Sequence, residues 1–331
     1  MSIYNNVLVL GGTGFLGKNL QKVRPDWIYV GRTSFVENGI ECSLEDLKTA
    51  YVGNETDYTD IHTVGNLIGV FNPDAVINLA GDVGGIAYNN VNQLSIFENN
   101  IMMNTNIIKV CRELEIERVL SCLSTCAFPD CTPACPMSED DLFWASDQWQ
   151  DTQNAHPYKG HTGYGWAKRM LHIHTELARE AEYNYSTFAP SNLYGPHDHM
   201  GEIASHFVAA LIHKVHKAKD ELRLYGDGKA LRQFLYAPDL AGLIPTLLEK
   251  HNSGSPLIVA PEENLSIDEM ARIALKVVEK DVKIKYSGEH AGQHRKDCSN
   301  SRLKKLLNDD VIFTSFEEGF RETYNWYLEN K

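Results

Sequence analysis

Tyr164 and Lys168 stand four residues apart in Tyr-Gly-Trp-Ala-Lys, flanked by helix-compatible residues. That spacing puts both side chains on one helix face, about one turn apart. A lysine cation there can hold the phenol's proton in play and still reach a ribose hydroxyl. The phenol, with a reference pKa of ~10, becomes a usable proton donor to a carbonyl oxygen. Alone the pattern is common, and a surface helix with a snorkelling lysine produces it too. It gains weight from Ser124 upstream and from a glycine-rich loop near the N-terminus. Cys126 and His206 add two groups with ordinary pKa values of ~8.5 and ~6.5, suited to moving protons on and off carbon near neutrality. On spacing alone, Cys126 reads first as a buried strand-end thiol and His206 as a helix N-terminal residue.

These groups need a scaffold, and the chain spells one out. Asn6 to Leu10 has the length and apolarity of a buried strand and runs into Gly11-Gly12-Thr13-Gly14-Phe15-Leu16-Gly17, then a helix over Lys18 to Val23. Glycines at such a turn allow tight backbone, close approach of a pyrophosphate, and helix packed on strand. Trp27 to Gly31 reads as the second strand. The first charged residue after it is Arg32 rather than an acid, which suits a 2′-phosphate and hence NADP; a merely solvated arginine would look the same. Asp57 and Asp60 could contact adenine or cap the helix starting near Ile61.

Ala75 to Ala80 is another buried-type strand, ending in the flexible Gly81-Asp82-Val83-Gly84-Gly85-Ile86. Leu94 to Leu114 reads as a long helix with two apolar faces, Phe97, Ile101 and Ile108 on one, Ile96, Met103 and Val110 on the other. Such a helix calls for a partner subunit as well as a core, and with the Tyr164 helix it predicts a four-helix homodimer interface. Arg118 to Thr125 is a strand that delivers Ser124 and Cys126 to the same sheet edge. Residues 127–163 are polar and irregular, as in a lid or binding segment. The Tyr164 helix runs to about Glu182, and Tyr185 to Ala189 is the next strand.

Beyond 190 the strand–helix alternation loosens. His206 to Lys219 reads as helix, Leu222 to Tyr225 with Gly226-Asp227-Gly228 as a hairpin, and Ser266 and Ser315 open helices with capping boxes. The expected class is α/β: a Rossmann-like doubly wound parallel sheet with a smaller α/β C-terminal substrate lobe. Residues 1–189, with about 231–250, would form the NADP-binding domain, and about 190–230 with 251–331 the lobe.

Bulk properties narrow the function. A net charge of −13 argues against a general nucleic-acid or anionic-membrane binder. The N-terminus has no basic signal region, and no apolar run approaches the ~18 residues of a membrane span, so a cytoplasmic protein is expected. Seven cysteines, an odd number, are expected as free thiols. The C-x3-C spacings around Cys122, Cys126, Cys131 and Cys135 lack the usual tight knuckle, and no H-E-x-x-H accompanies the histidines between 197 and 216, so no metal is expected.

Taken together, Gly11–Gly17, Ser124, Tyr164 and Lys168 resemble the extended short-chain dehydrogenase/reductases acting on nucleotide sugars. More narrowly, the chain is similar over nearly its full length to the GDP-L-fucose synthase family. That likeness rests on Val83-Gly-Gly-Ile86, Ser121 to Pro129, Tyr164 to Lys168, Ser191 to Asp198, Ser205-His206, Ile212 to His216 and Arg232-Gln-Phe234. The resemblance implies a reductase triad of Ser124, Tyr164 and Lys168 and an epimerase acid/base pair of Cys126 and His206. It implies a cofactor site for NADP along Gly11–Gly17, Arg32, Leu123, Lys168, Pro190, Asn192, Leu193 and His206. A GDP-4-keto-6-deoxy-D-mannose site would be lined by Val83, Gly84, Asn192, Lys214, Tyr225, Arg232 and Lys296. Two departures bear on nucleotide-sugar recognition: Ala291 stands where the family carries Asp before Gly292, and Tyr225 where some members have Trp. The alternatives are a reductase or epimerase/reductase of another GDP-4-keto sugar, dideoxy or heptose, and a non-catalytic NADP-binding regulatory protein.

Overall fold

A computed structural model describes residues 3–47, 55–129, 135–143, 162–201, 205–288 and 295–331. Ala291, Cys131 and most of the irregular 127–163 stretch lie outside them. The chain opens β1 (Val7–Leu10), α1 (Phe15–Val23), β2 (Ile28–Val30), β3 (Ser34–Glu37), β4 (Ile40–Ser43), α2 (Ile61–Phe71) and β5 (Ala75–Asn78). Next come α3 (Ile86–Val91), α4 (Gln93–Glu113), β6 (Arg118–Cys122), α5 (Thr162–Glu180), β7 (Asn184–Pro190) and β8 (Asn192–Tyr194). The remainder is α6 (Phe207–Lys217), β9 (Glu221–Leu224), β10 (Leu231–Arg232), β11 (Phe234–Tyr236), α7 (Ala237–Lys250), β12 (Leu257–Val259) and β13 (Leu265–Ser266). It ends with α8 (Ile267–Val277), β14 (Lys283–Tyr286), β15 (Arg295–Lys296), α9 (Ser301–Leu306) and α10 (Phe316–Asn330).

Eight strands form the main sheet in the order β12-β7-β6-β5-β1-β2-β3-β4, parallel throughout except for the β2–β3–β4 edge. The chain reverses direction across β1, which is the Rossmann-like doubly wound arrangement. β1 explains why both faces must be covered. Leu8 and Leu10 point to one side, against Val64, Leu67 and Ile107; Val7 and Val9 point to the other, against Leu20, Leu240 and Ile244. Strands apolar on both faces need helices on both. A further apolar cluster joins α6, α8 and α10 through Leu211, Met270, Phe316 and Phe320 and forms the core of the lobe.

Several expectations change. The β3–β4 hairpin extends the sheet where no strands were expected; its turn is Asn38-Gly39, both with positive φ, the signature of a tight two-residue hairpin loop. Leu222–Tyr225 does not open a hairpin: β9 pairs in parallel with β14, Leu222 opposite Ile284. β12, beyond residue 250, stands in the main sheet beside β7, and Leu303 of α9 packs under that same layer. Asp60 caps α2, accepting from the amides of His62 and Thr63. Both capping boxes, at Ser266 and Ser315, form as expected. Among the described residues no helix is long and apolar enough to cross a membrane.

Candidate active site

One cleft of about 2280 Å³ runs along the C-terminal ends of β1, β2, β5 and β6 and continues under the lobe. The Gly11–Gly17 loop lies at one end. Gly11 adopts φ +74, and a Cβ there would meet the Ala80 backbone at 2.8 Å. Tyr58 pins the loop to β2: its hydroxyl accepts from the Gly11 amide at 3.3 Å and donates to the Val30 carbonyl at 3.1 Å. Burial pushes that phenol up to about 12. A Cβ on Gly17 would stand 2.2 Å from the Gly12 carbonyl oxygen, so the glycine lets α1 seat against the loop. Gly12 does not line the cleft as the cofactor assignment implied. It is packed against Val9 and Tyr29, each 2.7 Å from where a Cβ would be.

Gly14 caps α1 without any side-chain hydrogen bond, so the first amides of the helix are open to an anion. Arg32 lies exposed at the cleft's edge, and among the described residues no carboxylate pairs with it. Two cleft-lining polar atoms, Ser191 Oγ and His197 Nε2, are buried without a protein partner. An open helix N-terminus, a spare guanidinium and orphaned polar atoms fit a phosphorylated dinucleotide, NADP.

The same cleft holds the residues nominated for chemistry. β6 ends at Cys122, and a 3-10 turn over Thr125–Ala127 follows, capped by the Ser124 hydroxyl accepting from the Cys126 amide at 3.1 Å. Arg169, buried beside Trp166, clamps the turn by donating to the Ala127 carbonyl from Nε at 2.9 Å and Nη2 at 2.6 Å. α5 presents Tyr164 and Lys168 to this turn. Lys168 is 2% exposed, donates to the Cys122 carbonyl at 2.8 Å, and holds its ammonium 5.7 Å from the Tyr164 ring. Burial raises the Tyr164 phenol well above its ordinary value, with the Cys122 and Cys126 thiols adding to this and a hydrogen bond with Ser124 opposing it. Burial also lowers Lys168. Tyr164 is therefore held as a neutral phenol, the form that can give a proton away.

Cys126 and His206 both line this part of the cleft. Lys296, only 9% exposed, donates to Cys126 Sγ at 3.3 Å. The resemblance implied Lys296 on the nucleotide sugar; in the structure its ammonium also reaches Cys126. His206 caps α6, with Nδ1 3.2 Å from Asp198 Oδ1. That hydrogen bond to the carboxylate raises the imidazole above its ordinary range, against the opposing effect of burial. Asp198 was given no role from sequence, although it closes the Ser191–Asp198 stretch.

Toward the lobe, Arg232 on β10 stands opposite Lys296 on β15 in strand register. Lys214 donates to the Arg223 carbonyl at 3.1 Å and lies 5.1 Å over the Tyr225 ring, which is 73% exposed. Lys214, Tyr225, Arg232 and Lys296 all line the cleft, cations and an exposed aromatic of the kinds that suit a nucleoside diphosphate. Val83, Gly84, Leu123, Pro190, Asn192 and Leu193 line the same cleft. Sequence reasoning missed the Asp82 cluster: Tyr88 Oη donates to Asp82 Oδ1 at 3.1 Å and Asn99 Nδ2 to Oδ2 at 2.9 Å, closing the loop after β5. It expected the helix opened by Ser315 but not its place at the cleft, where Trp326 of α10 packs on His197 with ring centroids 5.1 Å apart.

The profile of the NAD dependent epimerase/dehydratase family matches residues 7–260. A GDP-L-fucose synthase of Dictyostelium discoideum is 32% identical over 98% of this chain and 95% of its own length. A probable GDP-L-fucose synthase of Drosophila melanogaster is 31% identical over 98% and 97%. The crystal structure of a GDP-L-fucose synthetase from Naegleria fowleri bound to NADP superposes with a TM-score of 0.80 at 27% identity, covering 98% of this chain and 94% of that one. The glycine loop, the Tyr164–Lys168 pair and these likenesses agree: the chain belongs to the NAD dependent epimerase/dehydratase family, within its GDP-L-fucose synthase branch.

Proposed function

We propose that the protein converts GDP-4-keto-6-deoxy-D-mannose to GDP-L-fucose, inverting C3 and C5 and then reducing the C4 ketone with NADPH. The observation that carries this is the convergence of Cys126 and His206 on the cleft that also holds Ser124, Tyr164 and Lys168. A simple ketone reductase has use for the last three only. The named relatives and the NADP-bound structure support the substrate and the cofactor.

A C4 ketone acidifies the hydrogens on C3 and C5. Inversion then takes a base on one face of the sugar and an acid on the other. Cys126 is the base: its sulfur takes the proton and the carbon's electrons move onto O4. Lys296, at 3.3 Å, supplies the neighbouring positive charge while the sulfur is an anion. His206, biased toward the cation, returns a proton from the opposite side. Ser124 and Tyr164 hold the enolate oxygen by hydrogen bonds. NADPH, when bound along Gly11–Gly17 and Arg32, supplies the hydride for C4. Tyr164 gives its proton to O4, and Lys168 lies close enough to support the charge left on the phenol.

The test is incubation with GDP-4-keto-6-deoxy-D-mannose and NADPH, following the NADPH absorbance and the product sugar by NMR. GDP-L-fucose is expected. NADPH oxidation without change at C3 and C5, or only with another GDP-4-keto sugar, would overturn the reading. The protein would act in the cytosol as a homodimer. For the dimer, the support is apolar surface on α4 and α5: Leu94 is 70%, Met102 50% and Leu177 56% exposed. Light scattering at micromolar concentration should return twice the chain mass, and a monomer would refute it.

A further inference from the structure

Among the described residues, His206 meets one carboxylate, that of Asp198. Asp198 stands in the sharp turn after β8, where Gly195 takes φ +151 and His197 φ +70. The turn is tied to α1 by Asn19 Nδ2 donating to the Pro196 carbonyl at 2.9 Å. Its position is thus set by the glycine-loop helix as well as by its own backbone. Asp198 Oδ1 accepts from the His199 amide at 2.8 Å and lies 3.2 Å from His206 Nδ1. The Asp198 side chain is 3% exposed, and its Oδ2 has no protein partner. Among the described residues its one ion-pair partner is His206.

We propose that Asp198 is the positioning residue for the acid of the epimerisation. It holds Nδ1–H toward itself, leaves Nε2 to carry the proton donated to carbon, and offsets the charge of the imidazolium. Proton balance is simple: the Nε2 proton passes to the carbanion at C3 or C5, the ring becomes neutral, and the other proton stays on Nδ1, hydrogen-bonded to Asp198. The upward bias of the His206 ring agrees with this geometry, and the hydrogen bond from Asp198 is its largest cause. Among the described residues, titratable side chains lining the same cleft include Cys126, Tyr164, His197, His199, His213, Lys214 and Lys296. The inference rests on the epimerase reading, and its test separates the two.

The variant is Asp198→Asn, which keeps the shape and one oxygen acceptor but removes the charge. The readout is solvent deuterium washing into C3 and C5 of GDP-4-keto-6-deoxy-D-mannose, compared between parent and variant. A general acid contributes ~10²–10⁴-fold, so a weakened and misoriented one should cost ~10- to 100-fold in kcat with KM little changed. The alkaline limb of the pH profile should move to lower pH, because the acid now loses its proton sooner. In a His206→Gln background the same change should cost nothing more, since Asp198 acts through His206. Exchange at the parent rate with the parent limb, or an equal loss in the His206→Gln background, would overturn the proposal. If the parent itself fails to exchange deuterium, the functional reading falls, and the His206 titration followed by NMR still decides the proposal. In the parent the imidazole should titrate above ~6.5 with the proton fixed on Nδ1. A midpoint at or below that value refutes it without any variant.

Discussion

Replacing the Cys126 sulfur by oxygen should separate the two activities. The turn that carries Cys126 is held by backbone and neighbours, not by the thiol. Ser124 Oγ accepts the Cys126 amide at 3.1 Å, the Ala127 amide reaches the Ser124 carbonyl at 3.0 Å, and Arg169 clamps the Ala127 carbonyl. Cys126→Ser therefore removes one hydrogen bond of note, the 3.3 Å contact from Lys296, and a hydroxyl can accept that as well. Stability should change by less than ~1 kcal/mol. A serine hydroxyl holds its proton far more tightly than a thiol, so the base function is lost. A positioned base contributes ~10²–10⁴-fold, equivalent to about 3–5 kcal/mol of barrier. Deuterium incorporation at C3 and C5 should slow by that factor. Reduction should not share the loss, because Tyr164, Lys168 and the Ser124 cap are untouched. The variant should reduce ketone that has kept its D-manno configuration at C3 or C5. Tyr164→Phe should do the reverse, exchanging deuterium while barely consuming NADPH. Both are read from the sugar's NMR spectrum beside the NADPH absorbance. If Cys126→Ser exchanges deuterium at the parent rate, Cys126 is a packed thiol and the bifunctional reasoning fails.

Three further outcomes follow from the same geometry. Arg32→Ala removes an exposed guanidinium at the end of β2; a charge-assisted phosphate contact is worth ~1.5–3 kcal/mol, so NADPH should bind at least ~10-fold more weakly and NADH as before, and equal NADPH affinity would sink the assignment. Lys296→Met should lower kcat for deuterium exchange by ~10-fold through loss of the charge beside Cys126; a rise in KM alone would mean that Lys296 serves the diphosphate instead. His172 and His251 bond to Thr187 from either side, and burial lowers both imidazoles to about 4. The unfolded chain then takes up the protons first, so stability should fall as pH drops from ~6.5 toward ~4, by about 2 kcal/mol per histidine at pH 5; a urea midpoint equal at pH 7 and pH 5 would refute this.

What the sequence disclosed divides by the distance over which the information acts. The β1–loop–α1 unit was readable because strand length, glycine spacing and helix onset all lie within one short segment. The Tyr164–Lys168 geometry and both capping boxes followed from spacings of three and four residues. The Asn38-Gly39 hairpin carried an equally local signal and was passed over. β9 failed for a different reason: its partner β14 lies far along the chain, and the nearer Gly226-Asp227-Gly228 invited a hairpin, whereas that turn bonds to residues 268, 287 and 288. Arg118 shows the same limit, since a charged residue starting a buried strand is sustained by carbonyls of Asn184, Leu248 and His251 that only the fold assembles. The active site repeats the division. Ser124, Cys126, Tyr164, Lys168 and His206 could be nominated by type and resemblance. The contacts they make could not: Asp198 reaches His206 across a strained turn, and Lys296, named only for the nucleotide sugar, reaches Cys126 from 170 residues away. The candidate reacting groups can thus be named one by one, while the charges beside Cys126 and His206 are placed by the tertiary structure. Transplanting Cys126 and His206 onto a related reductase should therefore not confer epimerisation unless the carboxylate and the ammonium come with them.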